Sequence, residues 1–279
     1  MLYEGTVDLI EECTRLGMPA SIATNGTRIV EAAERLARVP LFLLQVSIDG
    51  PTADVHNRIR PAVGGRDNFA DIQAALEAVK AQRRGGLPLI ASLTTLSKEN
   101  SRHLAAIYEA FRDKVDFFVF YLGWWISEER SSQHEEEFRR RFGKEACLQR
   151  GWIGSWKPDD YAGVARQLKE VRAMSRRRGM PPVIVLPAVD GEEDLQRYYT
   201  DHAERFGFDQ CISIFQAAEV NSNGDVSPCR DYHDYVVGNI KDATLTELWS
   251  GEAYRRFRRS LCRDGLMPVC SRCCGLMGY

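Results

Sequence analysis

Cysteines are concentrated at one end of this sequence. The chain has 279 residues and eight cysteines. Six of them lie in the last quarter, at Cys211, Cys229, Cys262, Cys270, Cys273 and Cys274. Thiols crowded into one short segment serve a common purpose, which is disulfide formation, a structural zinc ion or an iron–sulfur cluster.

The stretch between the first two of these cysteines predicts a β-hairpin. Asn223-Gly224 is a strong two-residue turn signal, because a type I′ turn needs positive φ at both central positions. Val226 then starts the return strand, and Pro228 ends regular pairing because it has no N–H. Cys229 would leave this hairpin at the end of its second strand.

The spacing of the cysteines suits a four-thiolate shell. Two separated cysteines, Cys211 and Cys229, combine with the C-x-x-C pair Cys270 and Cys273. Such a shell suits Zn²⁺ and a [4Fe–4S] cluster geometrically. Spacing alone leaves the two open, with disulfides as the third alternative.

Composition narrows the compartment and the partners. The chain is 44% hydrophobic and 27% charged. Its net charge of −2 gives no sign of a general nucleic-acid surface. No run approaches the roughly 18 apolar residues that a membrane span needs, and no signal peptide is visible. We therefore expect a cytoplasmic protein without nucleic-acid or membrane partners, whose clustered cysteines bind metal.

Helices and strands alternate through most of the chain before this segment. Apolar strands are predicted at 19–24, 41–48, 87–93, 115–122 and 182–189. Helices are predicted at 6–16, 28–39, 68–82, 101–112, 159–178 and 192–202, the first of them burying Leu9, Ile10, Cys13 and Leu16. Continuously apolar strands are buried on both faces, and their alternation with helices implies a parallel sheet with right-handed crossovers.

Polar residues gather where these strands end. They are Thr24-Asn25-Gly26, Ser47 with Asp49-Gly50, and Gly123-Trp124-Trp125. In parallel α/β architectures this edge of the sheet is where ligands bind. Taken singly, Asn-Gly and Asp-Gly are more simply explained as ordinary turns.

The pattern changes after Ile126. A charge-dense stretch at 135–141 is typical of a solvated helix face. The tryptophan-rich loop at 151–156 either contacts a substrate or covers the sheet with apolar area. These changes divide the chain into three predicted domains, at 1–126, 127–209 and 210–279.

Three signals together resemble a radical SAM enzyme with a C-terminal SPASM-type domain. One strand ends in Ala23-Thr-Asn-Gly-Thr27, and the next ends in Val46-Ser-Ile-Asp-Gly-Pro51, followed by His56-Asn-Arg-Ile-Arg-Pro61. The cysteine pattern, with Gly224 between its first two members, closes the set. The resemblance implies a partial (β/α) barrel that binds S-adenosylmethionine beside a [4Fe–4S] cluster. It also implies reductive cleavage to a 5′-deoxyadenosyl radical, which removes a hydrogen from the substrate.

The resemblance also assigns candidate ligand contacts at the strand ends. Ser47 and Arg60 match positions that contact the nucleoside or carboxylate of S-adenosylmethionine, and Thr24 and Asn25 lie at the same rim. A hydroxyl and a guanidinium are suited to anchoring a polar ligand that carries a carboxylate. The alternatives are that Ser47 bonds its own turn and that Arg60 forms a surface ion pair.

At the tail, the resemblance favours iron–sulfur over zinc. It implies Cys211, Cys229, Cys270 and Cys273 as ligands of one auxiliary [4Fe–4S] cluster. Cys274 competes with Cys273, and Cys262 could replace either distal ligand. Four cysteine ligands would favour electron relay or a structural role for this cluster.

The family's defining C-x-x-x-C-x-x-C motif is absent. The first 210 residues contain only Cys13 and Cys147, and the glycine-rich motif that holds the methionine amino group is absent too. The predicted fold is therefore an α/β barrel of this type lacking its first two βα units, roughly 60 residues, plus a small cysteine-rich C-terminal domain.

This departure sets the expected function. We expect the chain to be the C-terminal part of a radical SAM enzyme that acts on a peptide or small molecule with an external electron donor. It should not generate the radical alone. The alternatives are a non-catalytic metal-binding or peptide-binding module and a zinc-stabilised α/β protein.

Overall fold

The computed structural model describes residues 5–39, 41–189, 191–231 and 233–277. The chain divides into two compact units. The first comprises Met1–Gly123, Pro158–Leu186 and Asp190–Glu192, and the second comprises Trp124–Lys157, Pro187–Val189 and Glu193–Tyr279. The three domain boundaries expected from the sequence remain a prediction.

Unit 1 is built on a five-stranded parallel sheet whose strands follow one another in chain order. They are β1 (Ser21–Thr24), β2 (Leu43–Ser47), β3 (Leu89–Thr95), β4 (Phe117–Tyr121) and β5 (Val183–Leu186). The predicted α/β class with a parallel sheet is confirmed, because continuously apolar strands alternate with helices. The partial barrel with two missing units remains a prediction.

All but one of the helices of unit 1 begin and end close to the predicted positions. They are α1 (Thr6–Arg15), α2 (Ile29–Arg38), α3 (Ala53–Ile59), α4 (Asn68–Gln82), α5 (Leu104–Phe111) and α7 (Tyr161–Ser175). Polar N-caps define several starts: the Asp67 side chain accepts from the Ala70 N–H and Asp160 accepts from Gly163. Such caps satisfy N–H groups that a first helical turn leaves without partners. Helix α3 was not predicted from the sequence.

The prediction for the buried face of α1 is wrong at two positions. Val7 and Ile10 are buried, but Leu9 is 60% exposed and Leu16 is 54% exposed. Helical spacing identifies a set of apolar positions, and packing selects the narrower stripe that is covered. The core of unit 1 lies instead around fully buried side chains of the central strands and α5, with the Tyr108 and Phe118 rings 4.7 Å apart.

Unit 2 is mainly helical and has a small antiparallel sheet. Its helices are α6 (Glu128–Phe142), α8 (Glu192–Thr200), α9 (Leu245–Ser250), α10 (Glu252–Asp264) and α11 (Cys274–Met277). Its strands are β6 (Glu219–Val220), β7 (Asp225–Ser227) and β8 (Gly238–Asn239). The aromatic core joins Phe138, Phe142, Tyr235 and Phe257. The charge-dense stretch of α6 is therefore solvated on one side only.

The predicted hairpin is present as β6–β7, but its turn is not type I′. Gly224 has φ +94°, whereas Asn223 does not have positive φ. The Gly224 N–H donates to the Asn221 carbonyl over 2.8 Å, and the Asn221 N–H donates to the Asp225 carbonyl over 2.8 Å. This is a three-residue connection that ends in a left-handed glycine, which needs positive φ at one position only.

Within the described residues, no helix combines the length and the apolar character that crossing a membrane requires. The tryptophan-rich loop packs inside unit 2, with Trp152 near Trp124 and Trp156 against Tyr199. These contacts cover apolar area, which is one of the two roles considered for the loop.

Candidate metal centre and ligand-binding edge

Four cysteines from separate segments of unit 2 line one cavity: Cys211, Cys229, Cys270 and Cys273. Cys211 precedes the 3₁₀ turn Ser213–Phe215, and Cys229 follows β7. Cys270 lies in the 3₁₀ turn Pro268–Arg272, and Cys273 immediately precedes α11. The fold thus brings together all four residues that the sequence predicted as metal ligands.

The wall around these cysteines is largely apolar. Phe138, Ile214, Phe257, Leu261 and Met267 line the same cavity. These side chains also belong to the buried core of unit 2, so the sulfur atoms lie at the edge of that core. An apolar wall limits water access and lowers the local dielectric constant around any group bound there.

The thiols in the cavity interact electrostatically. Burial raises the pKa of Cys270 to about 12, and the nearby Cys211 adds to that shift. Burial also raises the pKa of Cys273 well above its usual range, reinforced by Asp231, Cys270 and Cys229. Without a cation these groups are therefore neutral thiols. A bound metal centre supplies the positive charge that stabilises several thiolates together.

The two residues inside the C-x-x-C pair attach it to the end of α8. The Ser271 Oγ donates to the His202 carbonyl over 2.6 Å. Arg272 is 3% exposed, and its guanidinium donates to the carbonyls of Tyr198, Glu204 and Asp201 over 2.9, 2.9 and 2.8 Å. The carbonyls of the last helical turn are natural partners for a cation, because they lack intrahelical donors.

The two competing cysteines lie outside the lining of this cavity. The Cys274 thiol donates to Asp231 Oδ1 over 3.2 Å, and the Cys274 N–H donates to Asp231 Oδ2 over 3.1 Å. Cys262 is exposed on α10 and lines a different depression. No sequence signal predicts the contact between Asp231 and Cys274, since a lone aspartate after a cysteine has no distinctive spacing.

The donor set fits a [4Fe–4S] cluster, which is held by four cysteine thiolates. All eight cysteines are free, so the disulfide alternative has no counterpart in the structure. Over the described ranges, no group of three or more His, Cys, Asp or Glu side chains is placed to hold a single metal ion. A four-iron cluster does not require such convergence, because each thiolate binds its own iron atom.

In unit 1, the four predicted S-adenosylmethionine contacts lie near the C-terminal ends of β1 and β2. Thr24 ends β1 and pairs in register with Val46, next to Ser47 at the end of β2. The Thr24 Oγ1 accepts from the Gly26 N–H over 3.1 Å, and Asn25 Oδ1 accepts from the Thr27 hydroxyl over 3.0 Å. Thr24 and Asn25 thus stabilise their own turn, and ligand contact by all four residues remains a prediction.

Arg60 reaches the same edge through an ion pair with Asp49, to which its Nε donates a hydrogen bond. Asp49 is 2% exposed, and its Oδ1 also accepts from the Thr95 N–H over 2.9 Å. Burial raises the pKa of Asp49, whereas Arg60 and the Thr95 N–H oppose that shift. The sequence pattern at Asp49-Gly50 is most simply explained as a turn and does not reveal this buried carboxylate.

A buried histidine continues this network. The His56 Nδ1 accepts from the Asp49 N–H over 3.2 Å. Burial lowers the pKa of His56 to about 4, and Arg60 contributes further, so the ring is neutral at pH 7. Gly50 allows the backbone of α3 to pack closely against this turn, because a Cβ at position 50 would lie 2.4 Å from the backbone nitrogen of His56.

Two family profiles match this chain, one in each of the regions described above. The profile of the radical SAM superfamily matches residues 1–111, and the profile of SPASM, an iron–sulfur cluster-binding domain, matches residues 211–274. The second match begins at Cys211 and ends at Cys274, so it contains all four cysteines that line the cavity.

Curated relatives are distant but extend over most of the chain. An AdoMet-dependent heme synthase from Methanosarcina barkeri is 23% identical over 92% of this chain and 68% of its own length. A cysteine-type anaerobic sulfatase-maturating enzyme from Clostridium perfringens is 25% identical over 86% of this chain and 58% of its own length. A pre-heme d1 synthase from Dinoroseobacter shibae is 24% identical over 90% of this chain and 59% of its own length.

A solved structure of archaeal TYW1 matches 52% of this chain and 48% of its own length, with 14% identity and a TM-score of 0.33. The two profile matches and the curated relatives point to the same kind of protein. Residues 1–111 thus belong to the radical SAM superfamily and residues 211–274 to the SPASM domain family, which together imply the use of [4Fe–4S] clusters and S-adenosylmethionine.

Proposed function

We propose that this chain binds an auxiliary [4Fe–4S] cluster through Cys211, Cys229, Cys270 and Cys273, as part of a radical SAM/SPASM enzyme. The observation that carries the proposal is that these four thiols, from separate segments, line one cavity. A cluster bound there supplies one-electron chemistry, and its potential depends on burial and on the polarity of its surroundings.

The residues of unit 2 perform three tasks in this proposal. The four cysteines provide the ligands. The apolar wall that includes Phe257 and Leu261 limits water access. The contacts of Ser271 and Arg272 with carbonyls fix the backbone between the two C-x-x-C ligands. A fixed ligand spacing reduces the ordering cost of binding.

In unit 1, we propose that the ends of β1 and β2 contact S-adenosylmethionine through Thr24, Asn25, Ser47 and Arg60. Arg60 is one-third exposed, and its partner Asp49 is buried. The ion pair therefore limits the orientations of the guanidinium while leaving part of it accessible. A directed guanidinium is suited to binding a carboxylate.

The cluster that cleaves S-adenosylmethionine does not fit the residues of unit 1. That cluster needs three thiolates from one motif, and the sequence of unit 1 contains Cys13 alone. We therefore propose no radical step for this chain by itself. The same observation supports the second candidate function, a non-catalytic module that retains the auxiliary cluster.

The parent reaction is proposed as hydrogen abstraction from a peptide or small molecule, with an external electron donor. Family membership supports this general class. The relatives matched here carry names that refer to heme synthesis and sulfatase maturation, and the chain spans 58–68% of the three relatives described above.

Anaerobic reconstitution with iron and sulfide tests the proposal. About four irons per chain, as one [4Fe–4S] cluster requires, are expected in the wild-type protein and lost in Cys229→Ala and Cys270→Ala. Cys262→Ala is the matched control and should retain its iron, because Cys262 does not line the cavity. Stoichiometric zinc without iron uptake would refute the proposed cluster.

A further inference from the structure

Helix α10 has two faces of opposite character. Tyr254, Phe257 and Leu261 are buried, and the last two line the cysteine cavity. Arg259 and Arg263 are exposed and line a depression outside that cavity. An α-helix with its side chains is about 10 Å across, so one helix thickness separates this basic face from the cavity wall.

The basic face is part of a larger surface formed by two depressions that share Arg141. We call these two depressions together the basic surface. The first is lined by Arg141, Arg256, Arg259 and Arg263. The second is lined by Arg130, Arg140, Arg141 and Arg205, with Glu136 and Glu137. The basic surface thus has seven arginines and two glutamates, although the chain has a net charge of −2.

Several of these arginines are available to a partner. The side chains of Arg140, Arg259 and Arg263 are 62%, 64% and 80% exposed. Their partners Glu137, Glu252 and Asp264 are 22%, 67% and 21% exposed. Each pair is therefore open to water on its arginine side, and pairs of this kind contribute little to stability. The carboxylates of a docked protein can replace these partners at small cost.

Arg141 gives the basic surface a fixed shape. Its side chain is 4% exposed and donates to the carbonyls of Gly265 and Asp264 over 2.7 and 3.0 Å. Because Arg141 lies on α6 and these carbonyls end α10, the contacts hold the two helices together. A preformed surface has a lower ordering cost on binding.

The second depression lies close to the proposed cluster ligands. Arg130 and Arg205 line this depression, and the 3₁₀ turn Pro268–Arg272 that contains Cys270 begins at its wall. Leu266 and Pro268, just before Cys270 in the chain, line this depression. The basic surface therefore approaches the cysteine site from two sides, across α10 and at the C-x-x-C turn.

We propose that the basic surface docks an acidic one-electron carrier protein. This inference rests on the proposed function and identifies the surface that its electron donor uses. One electron is lost by the carrier and gained by the group that the cysteines hold. An extended surface lined by six arginines besides the buried Arg141 matches the acidic face of a protein. Complementary charge accelerates docking by steering.

The test measures binding of a reduced, acidic flavodoxin-type carrier to the reconstituted full chain, together with the rate of cluster reduction. The test variant is Arg259→Glu/Arg263→Glu. The matched control is Arg35→Glu/Arg38→Glu on α2, where both arginines are also exposed and ion-paired. Reduced methyl viologen, a small cation, serves as a carrier-independent reductant.

We expect the test variant to bind the carrier at least about tenfold more weakly at low salt and to be reduced by it correspondingly more slowly. The difference should shrink as salt screens the charges, while the control binds like the wild-type protein and reduction by methyl viologen is unchanged. If the wild type and the test variant bind the carrier equally, or if the control loses as much carrier binding as the test variant, the proposed docking surface is wrong while the proposed cluster stands. Failure to assemble any cluster would overturn the proposed function as well.

Discussion

Replacement of Arg272 by methionine should destabilise unit 2 by about 3 kcal/mol. The change removes the donors to the carbonyls of Tyr198, Asp201 and Glu204. A buried carbonyl left without a partner costs about 1–3 kcal/mol. The bond to Tyr198 is buried, whereas the bonds to Glu204 and Asp201 are partly buried and cost less. Part of this cost is offset, because methionine avoids the desolvation penalty of a guanidinium that is 3% exposed. The net loss in the free energy of unfolding therefore lies near the lower end of the range summed over the three carbonyls.

Tryptophan fluorescence during urea unfolding measures this effect selectively. All five tryptophans lie in unit 2, so their emission follows that unit. With a denaturant dependence of about 2 kcal/mol per molar urea, the transition midpoint should fall by about 1.5 M. The cluster content after reconstitution should fall as well, because the C-x-x-C backbone loses its attachment to α8.

Two further variants separate the hydrogen bonds from general effects of substitution. Arg272→Lys keeps the charge and part of the donor capacity, so its midpoint should lie between those of the wild type and Arg272→Met. Arg263→Met removes an arginine that is 80% exposed and should leave the midpoint unchanged. A wild-type midpoint for Arg272→Met would show that water satisfies the three carbonyls, and the reasoning would be wrong.

Three predictions concern the edge of the sheet in unit 1. His56 is buried and has a pKa of about 4, whereas a histidine in the unfolded chain has a pKa of about 6.5. The unfolded chain therefore binds this proton more tightly, and the free energy of unfolding of unit 1 should fall by up to about 3 kcal/mol between about pH 6.5 and pH 4. His56→Gln should reduce this slope, as measured by hydrogen exchange of β2 and β3 peptides. Gly50→Ala should destabilise unit 1 by about 2 kcal/mol or more, through its clash with His56. Gly151→Ala, which has open space, should have no effect in the same circular-dichroism melts. Asp49→Asn removes the partner of Arg60 and should cost about 2 kcal/mol, with weaker S-adenosylmethionine binding in equilibrium dialysis. Unchanged stability in Asp49→Asn would show that the ion pair does not order this edge.

Local patterns predicted the elements whose signals are long and regular. Helix α4 has the predicted bounds, and the strands lie within their predicted ranges or extend by two residues, because buried strands are apolar throughout. Helix α3 was missed because its seven residues contain too little periodicity to distinguish them from a loop. The hairpin position was correct and its turn type was wrong, because Asn-Gly also suits a type I turn followed by a left-handed glycine.

The cysteine spacing identified four candidate ligands, but it did not separate them from their neighbours in the chain. Cys262 lies eight residues from Cys270, yet the phase of α10 directs it to the outer face. Cys274 follows Cys273 directly, yet its thiol donates a hydrogen bond to Asp231. Spacing alone does not establish which way a side chain points or which partner reaches it from another segment.

The amino-acid sequence by itself determined the α/β class, the polar strand ends and the supply of thiols for one metal centre. These features depend on local periodicity and on residue chemistry, which follow directly from the order of the residues. Tertiary packing decided the burial of Asp49 between Arg60 and Thr95, the attachment of Arg272 to α8 and the formation of the basic surface. Thr95 lies 46 residues from Asp49 and Tyr198 lies 74 from Arg272. Contacts across such separations depend on strand register and helix packing, which no local pattern specifies.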